Sequence, residues 1–284
     1  MLLNCGSKTL DLTRPLVMGI LNVTPDSFSD GGRFNTLDAA VDHAHQLVEE
    51  GAAILDIGGE STRPGADAVP VEEELRRVLP VVERLVSYGI RAVLSVDTNK
   101  PQVMRAVAAA GADLINDVSG LTQPGALEAA ASTGCAVCLM HMKGEPRTMQ
   151  LSPHYDDVVG EVRGFLQHRV RACIEAGIGI DRLLIDPGFG FGKTREHNLE
   201  LLRRLRELVI YPEPSRAADA IPLLVGLSRK SMLGAITGRV PEERVYGSIA
   251  LAVIAVLNGA RIVRAHDVAA TVDAIKTTIA VRGG

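Results

Sequence analysis

Short apolar runs that end in a polar residue recur along the chain, and between them apolar residues fall at helical spacing. The runs are 16–21, 53–57, 92–96, 114–115, 136–140, 183–185, 223–227 and 261–263. Aliphatic runs bounded by turn formers fit strands buried on both faces. The helical stretches are 37–50, closed by Gly51, then 71–87, 101–110 with Pro101 in the first turn, and a segment after Pro124. Further ones cover 155–176, 198–209, 242–257 and a last helix from Asp267. Eight strand–helix alternations predict a parallel sheet. Eight is the number that closes a (β/α)₈ TIM barrel, and 284 residues suit one. An open doubly wound sheet is the competitor. Polar residues at all eight strand tips favour the barrel, because closure gathers them on one face. No Ser/Pro linker divides the chain, so 1–284 reads as a single domain with a lead-in segment at 1–15.

The stretch Asp186-Pro187-Gly188-Phe189-Gly190-Phe191-Gly192-Lys193-Thr194 ends like a phosphate loop. The first glycine that such a loop needs is Pro187, which has no N–H to offer a phosphate. The dinucleotide spacing fails as well, since Lys193 stands where the third glycine belongs. Three glycines instead let the backbone turn sharply and pass close to a flat ligand.

The tips fall into two sets. Asp97, Asn116, Asp186 and Lys230 suit a planar heterocycle with N–H donors along one edge. Each alone is equally a capped strand end, whereas four on one rim favour a bound ligand. Asn22, Arg264 and His266, with Thr62 and Arg63, form an anion pocket beside the start of the last helix. Asn22 alone could be a turn former, and its amide oxygen would also suit Mg²⁺ beside phosphate oxygens. Met140 either packs on the flat ring or fills core, and His141 reads as structural. Phe28, Phe189 and Phe191, three of five phenylalanines, are candidate ring contacts.

Composition narrows the partners. A net charge of −4 argues against nucleic acid or an anionic membrane. No run approaches the roughly 20 apolar residues of a membrane span, and the start lacks a secretory pattern. Cys135 and Cys138 have redox spacing inside an apolar run with no second pair, so two buried thiols are expected. These features predict a soluble cytoplasmic protein.

The segments 22–32, 58–65, 95–98, 186–193, 228–231 and 264–268 together resemble the bacterial dihydropteroate synthase family, and the match runs from about Leu16 to Val281. A longer loop near 211–220 and Ala265 between the final Arg and His are small departures. The resemblance implies a Mg²⁺-assisted transferase of folate synthesis, joining 6-hydroxymethyl-7,8-dihydropterin diphosphate to 4-aminobenzoate. It assigns Asp97, Asn116, Asp186 and Lys230 to the pterin, and Asn22, Thr62, Arg264 and His266 to the diphosphate. Ser61, Arg63, Pro64 and Ser231 fall on the 4-aminobenzoate side, where sulfonamides compete. Phe28 and Asp30 belong to a first loop that closes over the site. It implies a homodimer too, paired through late helices. A methyltetrahydrofolate-binding barrel and a non-catalytic pterin-binding paralogue are the rivals.

Overall fold

The structure, a computed structural model, describes residues 1–23, 33–61, 68–212 and 220–283. Eight strands form one parallel sheet: β3 (Leu16–Asn22), β4 (Ile54–Gly58), β5 (Val93–Asp97), β6 (Leu114–Asp117), β7 (Ala136–Met140), β8 (Leu183–Asp186), β9 (Leu224–Gly226) and β10 (Ile262–Ala265). Their order is β8-β7-β6-β5-β4-β3-β10-β9. A parallel bridge between Ile185 and Leu223 joins the two ends, with the Ile185 N–H donating to the Pro222 carbonyl at 3.1 Å. The sheet is therefore the expected (β/α)₈ barrel. A hairpin of β1 (Leu2–Cys5) and β2 (Lys8–Asp11) precedes it, in the segment that sequence marks as a plain lead-in.

The helices are α1 (Arg33–Glu49), α2 (Val71–Ser87), α3 (Pro101–Ala109), α4 (Ala126–Ala131), α5 (Val158–Glu175), α6 (Arg195–Arg203), α7 (Ser231–Thr237), α8 (Val245–Leu257) and α9 (Val268–Arg282). Outward strand residues such as Leu55, Leu94, Ile115 and Val225 join helix residues such as Val78, Val107, Leu166 and Ala255 in one large core. The sequence reading runs α6 on to 209. The observed α6 stops at Arg203 and a 3₁₀ turn, Leu205–Leu208, follows. Its buried Leu205 and Leu208 stand three apart, which a 3₁₀ turn stacks on one side. The apolar spacing thus survives the change of helix type.

Inside the barrel the two-residue period of a strand builds layers. Met18, Ile54, Val93, Leu114, Ala136, Leu184, Leu224 and Ile262 pack with Leu3, Cys5 and Leu12 of the hairpin segment into an apolar floor. Two residues further along the same strands stand Asp56, Ser95, Asn116, Asp186 and Arg264. The first four are buried and Arg264 is half-buried. The hairpin is fastened by Lys8, whose Nζ lies 2.9 Å from Asp113 Oδ2 and donates to the Ala92 carbonyl at 2.8 Å.

Cys138, on β7, packs inside the barrel, and Cys135, just before that strand, packs in the outer core. They are separate buried thiols, as expected from the apolar run around them. Among the described residues no helix is long and apolar enough to cross a membrane.

Candidate functional site

The polar layer centres on Asp56, a residue that inspection of the strand tips passes over. Arg264 Nε donates to Asp56 Oδ2 at 2.6 Å, and Asn116 Nδ2 donates to the same oxygen at 3.1 Å. Ser95 Oγ donates to Asp56 Oδ1 at 2.6 Å. Arg264 Nη2 also stands 3.6 Å from Asp97 Oδ2. Arg264 therefore does not sit in an anion pocket apart from the carboxylates: it belongs to both proposed sets. Its phase with Ile262, two residues back, aims it into the barrel. An acidic residue in mid-strand, in phase with Ile54, is the signal that would have found Asp56.

Two carboxyls, Asp186 in this layer and Asp97 one step above it, hold their protons unusually well. Asp97 is pushed up to about 8, first by burial and then by the neighbouring Asp56, against the pull of Arg264. Asp186 is pushed up to about 6 by burial, while the Gly188 N–H, Lys230, Lys193 and Arg264 pull it down. Each carboxyl would rather have a partner than face water-poor surroundings alone.

The loop after β8 brings the third part of the site. The Gly188 N–H donates to Asp186 Oδ1 at 2.7 Å, closing a turn at the strand end. Gly188, with φ +67°, admits no side chain, because a Cβ there would collide with the His141 carbonyl oxygen. Gly188 and Gly190 reverse the chain between them and turn Phe189 into the main core, where it is 1% exposed. The ring contact expected of Phe189 is thus overturned. Phe191 does reach the site side: Lys230 Nζ stands 4.3 Å from its ring centre. It packs with Met140, Val118 and Met149 in a small separate cluster, so Met140 fills the floor under that ring. His141 is structural, buried edge-on against Phe165 and joined to Lys193. Burial holds His141 down at about 3 and Lys193 at about 7, the latter against the pull of Asp186.

The other side of the mouth is built after β9 and β10. Arg229 takes a left-handed conformation, φ +57°, and its guanidinium holds Asp267 at 2.6 Å. This clasp leaves the Ser228 hydroxyl 3.0 Å from His266 Nδ1, where it also accepts from the His266 N–H at 3.2 Å. Arg229, Ser228 and Asp267 are supports that motif reading leaves without a role. Asn22 ends β3 beside Gly58 and Asp97, half-buried, and no hydrogen bond among the described residues engages its amide. That leaves Oδ1 able to join phosphate oxygens and water around Mg²⁺. Among the described residues no group of three His, Cys, Asp or Glu could hold an ion alone. Ser61 and Ser231 are exposed at the ends of their loops, whereas Phe28, Asp30, Thr62, Arg63 and Pro64 lie outside the described residues.

Comparison with known proteins identifies the family of the chain. The family model described as pterin binding enzyme matches residues 18–266. Dihydropteroate synthase of Escherichia coli (strain K12) is 54% identical over 268 residues, covering 94% of this chain and 92% of that protein. The solved structure of Yersinia pestis dihydropteroate synthase with a sulfonamide drug complex gives a TM-score of 0.91 at 54% identity, covering 100% of both chains. Burkholderia cenocepacia dihydropteroate synthase complexed with 7,8-dihydropteroate gives 0.90 at 51% identity, covering 99% of this chain and 96% of that one.

Proposed function

The chain belongs to the dihydropteroate synthase branch of the pterin-binding enzymes and is a transferase, and on that premise we propose its reaction in detail. It condenses 6-hydroxymethyl-7,8-dihydropterin diphosphate with 4-aminobenzoate, giving 7,8-dihydropteroate and pyrophosphate. The observation that carries this reading is the cluster of buried Asp56, Asp97, Asn116 and Asp186 around half-buried Arg264 at the barrel mouth. Two carboxyls whose protons are held by burial suit a ring edge that brings its own N–H donors. The donors replace the proton, and the carboxylate gains the partner it lacks.

In this reading Asp97, Asn116 and Asp186 fix the pterin edge and Lys230 meets a ring acceptor. Arg264, tethered by Asp56, faces the junction of ring and diphosphate. Asn22, His266 and the start of α9 flank the diphosphate. Mg²⁺, held through Asn22 Oδ1 with phosphate oxygens, would neutralise charge on the pyrophosphate. The bond between the pterin methylene carbon and the diphosphate oxygen breaks, and its electron pair leaves with pyrophosphate. The aniline nitrogen attacks that carbon and then loses a proton to water. It is unprotonated at neutral pH, so no strong general base is required. Arg264 and His266 contribute donors that count most as the leaving group gains charge.

The same reading assigns Ser61, Arg63, Pro64 and Ser231 to 4-aminobenzoate, with sulfonamides as competitors. It treats the chain as a homodimer, supported by the exposed apolar Tyr246, Ile254 and Leu257 on α8 and by exposed Ile236 and Val240. Four unpaired cysteines support a reducing cytoplasm. Incubation with both substrates, with Mg²⁺ or with EDTA, tests the reading. Equal amounts of pyrophosphate and dihydropteroate, formed with Mg²⁺ and suppressed by EDTA, are expected. Tight pterin binding without turnover would reduce the chain to a binding protein.

A further inference from the structure

Lys193 ends the stretch that imitates a phosphate loop, yet its side chain is buried among backbone carbonyls. It is 2% exposed, and no carboxylate among the described residues forms an ion pair with it. Its Nζ donates to the carbonyls of Gly188 at 2.9 Å, Phe191 at 3.0 Å and His141 at 3.3 Å, and stands 2.9 Å from His141 Nδ1. These acceptors belong to the tips of two neighbouring strands, β7 and β8. The same knot continues into the site. The His141 N–H donates to the Asp186 carbonyl at 3.0 Å, and the Gly188 N–H to Asp186 Oδ1 at 2.7 Å. The Tyr155 hydroxyl closes the far end on the Gly192 carbonyl at 2.8 Å. One ammonium thus occupies the place a bound metal ion would take among converging carbonyls.

We propose that Lys193 is a positioning residue for the pterin half of the reaction. Its buried ammonium fixes the loop from Asp186 to Phe191 and keeps the Asp186 carboxyl in the ionised form that accepts from the ring. The first part follows from the four contacts. The second follows from charge, since Lys193 lowers the proton affinity of Asp186 together with Lys230 and Arg264. Lys193 is itself faced by Asp186 and Lys230, and His141 by Lys143. The proposal rests on the pterin reading of the site above.

The test compares wild type, Lys193→Met and His141→Leu for binding of the pterin diphosphate and for kcat and KM toward 4-aminobenzoate. Lys193→Met is expected to weaken pterin binding about 30-fold at pH 6.5 and visibly less at pH 8, because Asp186 loses a neighbouring positive charge. Its KM for 4-aminobenzoate should stay within about threefold. His141→Leu removes one of the four acceptors from an uncharged ring, and a roughly three- to tenfold weakening toward pterin is expected. It decides the matter if Lys193→Met does not fold. A folded variant with wild-type pterin affinity, or with both substrates weakened equally at every pH, overturns the proposal. Wild-type protein that binds no pterin diphosphate would instead remove the functional reading beneath it.

Discussion

The two ends of the barrel are made from the same strands and solve opposite problems. At the start of the strands, donors meet acceptors: Lys8 sits on Asp113, Arg261 donates to the Thr13 carbonyl at 3.1 Å, and Arg206 to the Leu257 carbonyl at 2.7 Å. A cavity of about 870 Å³ opens there, lined by Arg14, Arg163, Arg206, Arg261 and Arg282 with Glu207, and none of the candidate chemistry reaches it. At the strand ends Asp56 has three donors, while Asp97 has one guanidinium nitrogen at 3.6 Å. The lesson is that size and charge do not mark the site. Among the described residues the one buried side-chain atom with no partner is Glu74 Oε1 on α2, outside the site. The mark is therefore the position of Asp97: a carboxyl at the barrel mouth with too few donors is a standing demand for a ligand.

The comparison breaks most sharply at Arg264. Arg264→Ala removes a donor from Asp56 and the cation nearest Asp97, and turnover should fall about 10²- to 10³-fold. Pterin affinity should fall by less, and equal losses in pyrophosphate-release kinetics and in direct binding would contradict a role in the leaving step. The next effect is one of pH. Asp97 and Asp186 must ionise to accept from the ring, so pterin affinity should rise from pH 6 to 8 by up to about tenfold per unit. Calorimetry in buffers of different ionisation heat should find a proton released on binding. Stability of the free protein runs the other way. Asp97 is raised above its unfolded value, so its contribution is full below about pH 4 and is lost as pH rises through about 8. A melting temperature that climbs over that interval in Asp97-containing protein, relative to Asp97→Asn, would refute the shift. The smallest effect belongs to the other end. Lys8→Met should cost about 1 kcal/mol in urea unfolding and leave kcat and both KM values unchanged. A kinetic effect there would mean that the two ends are coupled.

Much of the fold is legible because aliphatic runs and helical spacing repeat eight times, and α2 falls on residues 71–87 as its apolar spacing requires. The tip residues Asp97, Asn116 and Asp186 are legible because a polar residue ending an apolar run has few other uses. Asp56 is not, since it lies one step inside the run and looks like a flaw in a strand until the inward phase is counted from the floor. Phe189 misleads for the opposite reason. Its direction is set by positive φ at the glycines on either side, and residue spacing in a loop carries no period. The hairpin of β1 and β2 escapes because each strand has four residues and the exposed apolar Leu2 hides the alternation that burial follows. The clasp of Arg229 on Asp267 joins residues 38 apart, which no local pattern records.

The seam that closes the barrel has a consequence for the mouth above it. β9 pairs along its whole length with β10, whereas β8 is met only by a bridge at Leu223, the residue before β9. The gap between Asp186, at the end of β8, and Lys230, in the loop after β9, is consequently bridged from above by the clutch of Lys230 on the Phe191 ring, more than by rungs between the staves. Whatever loosens that clutch changes the width of the jaws without unravelling the cask.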